Sequence, residues 1–93
     1  MKIGLLRVEL LIPGCSSLKA KRSIIKRQIN RLRSEFNVGV AELDNHDQSY
    51  ACTLGIVTIY RNSANVENAL RSIVHQLEDS TDFRVNDVLI ELM

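Results

Sequence analysis

The sequence predicts an α+β domain built in the order β-α-β-β-α-β. Two apolar stripes recur at helical spacing, four apolar segments alternate at strand spacing, and polar clusters separate the six elements in that order. The chain has 93 residues, which suits one domain spanning 1–93 around one core. A domain of this size buries roughly 60–65% of the surface its unfolded chain exposes, so its stability margin is small.

Each element follows from local chemistry. In residues 2–12, Leu6, Val8, Leu10 and Ile12 alternate with Arg7, Glu9 and Leu11, the period of a strand with one better-buried face. Pro13-Gly14 ends it. Ser16 or Ser17 can cap a following helix over about 18–35, because a serine oxygen accepts from the free N–H groups of a first turn. Within that helix Leu18, Ile25, Ile29, Leu32 and Phe36 form one stripe. Residues 36–43 alternate as a second strand, and 44–49 form a polar turn. Residues 50–60, rich in Thr, Ile, Val and Tyr, make a third strand that pairs back as a hairpin. Asn62-Ser63 caps a second helix with the stripe Val66, Ala69, Leu70, Ile73, Val74 and Leu77. Residues 78–82 are a polar stop, and 83–92 alternate through Val88, Ile90 and Leu92 as the last strand.

That order is the split-βαβ, ferredoxin-like arrangement. Right-handed crossovers put both helices on one face of a four-stranded antiparallel sheet, with the first and third strands central. The other face stays open and takes in Ile3, Leu5, Arg7 and Glu9, which makes it the expected surface of a homodimer.

Composition removes several classes. Apolar residues are 45% and charged residues 25% of the chain, which argues against disorder. No run of about 18 apolar residues exists, so no spanning helix is expected. The opening MKIGLLRVELLIPG carries Arg7 and Glu9 inside its apolar stretch and lacks a small-residue cleavage site. It reads as a strand of an unexported, cytoplasmic protein. Cys15 and Cys52 form no CxxC and read as free thiols. His46 and His75 enter no zinc spacing, and no cofactor loop is present, so neither metal nor cofactor is expected.

The net charge of +1 hides an asymmetry. Residues 1–36 carry nine basic and two acidic groups, while residues 37–93 carry three basic and nine acidic ones. The cations concentrate in the first helix, where Lys19, Lys21, Arg22, Lys26, Arg27, Arg31 and Arg33 occur with no acid between them. At 100° per residue Lys19, Arg22, Lys26 and Arg33 fall within about 60° along one flank. Arg27 and Arg31 lie on the outer face. The row extends about 20 Å, enough to meet several phosphates. Lys19, Lys21 and Arg22 stand in the first turn, where the helix dipole disfavours each cation by about 0.3–1 kcal/mol. Such an arrangement points to an external anion, met jointly with the loop Pro13–Ser17 and the free N–H groups of the helix start. An internal use of the same charges would be pairing with Glu42, Asp44 or Asp47.

Catalytic signals are weak. Asp44-Asn45-His46-Asp47 imitates an acid–base or metal cluster, yet hairpin turns use those residue types anyway. Acylphosphatases share the size and expected topology but carry a VQGVxFR loop where this chain has PGCSSLKAKR. A small phosphate-ester or acyl-phosphate hydrolase is therefore the least favoured function, and no catalytic residue is assigned.

Several segments resemble the bacterial YlxP-like family, small proteins classed as a domain of unknown function. The segments are Val8–Gly14 (VELLIPG), Ser17–Ser23 (SLKAKRS), Leu32–Glu42 (LRSEFNVGVAE), Asp47 and Leu54-Gly55. The resemblance implies a ferredoxin-like fold and a bacterial cytosolic origin. Family genes often neighbour genes of translation initiation and ribosome maturation, which implies a link to the ribosome. It supplies no catalytic residues. Members often carry an acid at the position of Ala20, so this chain is more basic there. The leading expectation is a non-enzymatic RNA- or ribosome-associated protein acting through its basic helix. The alternative is a homo-oligomeric interaction module.

Overall fold

The computed structural model describes all 93 residues. The elements run β1 (Lys2–Leu11), α1 (Leu18–Glu35), β2 (Val38–Asp44), β3 (Ala51–Tyr60), α2 (Ser63–Glu78) and β4 (Arg84–Leu92). The strands form one antiparallel sheet in the order β2-β3-β1-β4, so β1 and β3 are central as expected.

Register decides which side chains meet the helices. Leu6 lies between Ile56 and Ile90, and Val8 between Leu54 and Val88. These side chains share one face because strand side chains alternate. On that face Leu6, Val8 and Leu10 join Ile25 and Leu32 of α1 and Val66, Leu70, Ile73 and Leu77 of α2 in one buried cluster. Both helices therefore cover the same face, which is the ferredoxin-like fold. Each fully buried Leu, Ile or Val contributes about 1.5–3 kcal/mol, before the entropy of ordering the chain is subtracted.

The helix starts follow the sequence. Ser17 Oγ accepts from Ala20 N at 3.0 Å, and Asn62 Oδ1 accepts from Asn65 N at 2.9 Å. Gly14, at φ 74, takes the left-handed conformation that turns the chain out of β1. The expected start of the second strand shifts. Phe36 serves as the C-cap of α1, its N–H donating to Leu32 O at 2.9 Å. The Asn37 amide side chain donates to Ile59 O at 3.0 Å, and β2 begins at Val38. The helix end takes the Phe36 N–H, so that group is not free to join a strand ladder.

The close approach of α2 to β1 depends on Gly4. A Cβ there would stand 2.5 Å from Val66 Cγ1 and 2.9 Å from Leu70 Cδ1. Gly4→Ala is expected to cost about 1–3 kcal/mol through overpacking. Urea unfolding would show a lower midpoint with an unchanged slope. No helix is long and apolar enough to cross a membrane.

Candidate nucleic-acid interface

Helix α1 turns Lys21, Ile25, Gln28 and Leu32 into the protein. That orientation leaves Lys19, Arg22, Lys26 and Arg33 exposed along one flank. The flank runs beside β2: Arg22, Lys26 and Arg33 line a shallow groove with Val40, Ala41 and Glu42. None of these four cations has a carboxylate within 4.0 Å. The Arg33 guanidinium donates to Val40 O at 3.1 Å. That bond fixes the far end of the row against the edge strand β2.

Lys21 does not belong to this surface. Its side chain is only 3% exposed, and its Nζ lies 3.0 Å from Glu42 Oε2 and donates to Asn45 O at 2.5 Å. The expectation that Lys21 meets phosphate is corrected: its charge is spent on internal pairing. The physical reason is its place on the helix, four residues before Ile25 and eleven before Leu32, in the middle of the buried face. Glu42 shares the helix-facing side of β2 with Val40 in the alternate-residue pattern, with Leu54 as its partner across the sheet. Glu42 Oε2 is sealed from solvent and no donor approaches it in a hydrogen-bonding direction, so the ammonium holds it by charge. The contact at Asn45 also pins the β2–β3 turn, where Asn45 sits at φ 68 and its amide side chain donates to Thr53 Oγ1 at 2.8 Å.

Arg27 and Arg31 are exposed, but the fold sets α2 alongside them. They line a polar groove of about 880 Å³ between the helices, together with His75, Asp79, Ser80 and Asp82. Arg31 Nε pairs with Glu35 Oε1 at 3.1 Å, and Glu35 also accepts from Gln76. Gln28 donates to Gln76 Oε1 at 3.0 Å and closes the floor between the helices. The acids facing this groove offset the field of the two arginines. The groove on the β2 side holds one acid, Glu42, and Lys21 pairs with it, which leaves Arg22, Lys26 and Arg33 without an ion-pair partner.

Cys52 is fully buried, near enough to Glu42 and Lys21 for both to act on its thiol. Burial first, and the neighbouring Glu42 charge second, push its thiol from an ordinary 9.0 up to about 12. As pH rises between those values the unfolded chain ionises this thiol while the folded chain keeps the proton. Folding stability is therefore present below pH 9 and falls on the way to 12, by up to about 1.4 kcal/mol per pH unit. Urea unfolding at a series of pH values from 8.5 to 11 should show this decline. Cys52→Ala should remove that part of the slope. Under native conditions iodoacetamide should label the half-buried Cys15 and spare Cys52.

The Asp44–Asp47 turn is ordinary turn chemistry. Asp44 Oδ1 accepts from Asn45 N at 2.8 Å, and Gln48 N donates to Asn45 O at 3.2 Å. No three His, Cys, Asp or Glu side chains come together there or elsewhere in an arrangement that could hold a metal.

Fold and surface together define a small ferredoxin-like α+β protein with a basic first helix and an open sheet face. Residues 3–90 match the family described as "Protein of unknown function (DUF503)", and the chain belongs to that family. It is similar to the "Uncharacterized protein YlxP" of Bacillus subtilis (strain 168), with 29% identity over 72 residues, covering 77% of this chain and 78% of that protein.

Proposed function

We propose that this protein is a non-enzymatic RNA-associated binding protein that holds ribosomal RNA by its phosphate backbone. The observation that carries the reading is the row Lys19, Arg22, Lys26 and Arg33: exposed, on one flank of α1, and with no carboxylate within 4.0 Å, the nearby Glu42 being paired with Lys21. Phosphate binding relieves both the mutual repulsion of the row and the unfavourable position of Lys19 and Arg22 at the positive end of the helix. No acid stands in the first turn of α1 to do so from within.

The expected contacts are to backbone and shape rather than to stacked bases. Phe83 is buried, Phe36 and Tyr60 pack against the core, and Tyr50 alone among the aromatics is well exposed. The ribosomal assignment rests on the YlxP-like resemblance, and the phosphate chemistry rests on the helix.

The test is binding of labelled ribosomal RNA fragments across a salt series. Four phosphate contacts to single-stranded segments give a log–log slope of about −3. Absence of binding at low salt would refute the reading, as would binding that ignores salt.

A further inference from the structure

The sheet face turned away from the helices is the largest feature that the basic helix leaves unexplained. Strand parity places Ile3, Leu5, Val57, Ile59, Leu43 and Leu89 on it. Val57 and Ile59 are 42% and 43% exposed, and Leu43 and Leu89 are each 52% exposed. Gly55 has no side chain in mid-sheet, and Leu43 leans over it from the edge strand: a Cβ at Gly55 would lie 2.7 Å from Leu43 Cδ1. The result is a shallow, mostly apolar depression of about 410 Å³ with Leu89 and Glu91 on its other side.

We propose that this face binds a second copy of the same chain, sheet against sheet, in a two-fold dimer. Charge argues for a copy rather than another occupant. The face carries both signs, Arg7 on β1 and Arg84 on β4 against Glu9 on β1, Asp87 and Glu91 on β4 and Asp44 on β2. Those acids oppose RNA and anionic lipid. Arg7 reaches its own Glu9 only at 3.9 Å, so its guanidinium has donors to spare for the acids of a facing copy. A two-fold pairing presents the same patch to itself, so the arginines of each copy can be set against acids of the other.

Size agrees. Four strands of seven to ten residues span roughly 570 Å² in projection at about 4.8 Å per strand and 3.3 Å per residue. Side-chain relief brings the accessible area near the about 800 Å² per partner of a stable interface. The helices would stay on the outer surfaces of such a dimer, so this inference does not depend on RNA binding.

Sedimentation equilibrium over a concentration series tests it with two variants. In Arg7→Glu the face keeps Arg84 as its one cation among acids, and in Glu9→Lys/Glu91→Lys its cations outnumber the remaining Asp44 and Asp87. The wild type is expected to dimerise. Each variant alone is expected to dissociate about tenfold more readily or worse, because like charges then face each other. An equimolar mixture of the two is expected to recover association as a heterodimer, which only folded chains can form. A wild type that stays monomeric at millimolar concentration overturns the proposal. So does a dimer that both variants leave unchanged, or a mixture that stays dissociated. Lys19→Glu/Arg22→Glu/Lys26→Glu should dimerise like the wild type, so failure of RNA binding and failure of dimerisation are read separately.

Discussion

Lys21→Ala should lower folding stability by up to about 3–5 kcal/mol, the cost of leaving a buried charge without its partner, less what the 24% exposed Glu42 side chain recovers from water. The charge left behind is Glu42, whose Oε2 is sealed from solvent and has the Lys21 ammonium 3.0 Å away. The Asn45 carbonyl also loses its donor, and the β2–β3 turn loses an anchor. A domain of this size holds about 5–10 kcal/mol in total, so the variant should unfold at low urea or near ambient temperature. The double change Lys21→Met/Glu42→Leu removes both charges and keeps apolar volume. It should recover most of the loss, because a well-packed apolar pair often matches a buried ion pair. If Lys21→Ala were as stable as the wild type, the pair would contribute nothing to folding. The double variant should also bind RNA as the wild type does. A loss of binding there would return Lys21 to the surface from which its burial removes it.

Lys19→Glu/Arg22→Glu/Lys26→Glu should weaken RNA binding by more than about 100-fold at low salt. The change deletes three phosphate contacts and puts repulsion in their place. The salt slope should shrink from about −3 towards −1, about 0.7 of a unit per lost contact, leaving Arg33. All three positions are exposed, so the thermal midpoint should change little. Acids in the first turn suit the helix dipole and should even favour folding slightly. Reversing Arg27 and Arg31 instead should have a smaller effect, because Asp79 and Asp82 already offset them across the groove. Equal losses from both sets would mean that the whole helix binds, not its β2 side.

Much of this protein was legible in its residues. The alternation of Leu6, Val8 and Leu10 identified the helix-facing side of β1, and Ile25 and Leu32 identified the buried stripe of α1. Ser16 or Ser17 and Asn62-Ser63 marked the helix starts, and Ser17 and Asn62 are the residues that cap them. The open face with Leu5 and Arg7 followed from the same parity. The basic helix was visible as composition. Even the burial of Lys21 had a local signal, its four-residue spacing from Ile25, which the sheer density of cations around it concealed.

The sequence by itself determined the element order, the ferredoxin-like fold, the family and the excess of positive charge on α1, because helix and strand periods are local properties of the chain. Only the tertiary structure decided which of those charges are free. Lys21 meets Glu42 because the α1–β2 connection lays β2 against α1, and Arg27 and Arg31 face Asp79 and Asp82 because α2 packs beside them. A helical wheel gives the direction in which a side chain points but not what stands opposite. Desolvation and pairing, which separate a buried lysine from a phosphate-binding one, depend on that opposing partner.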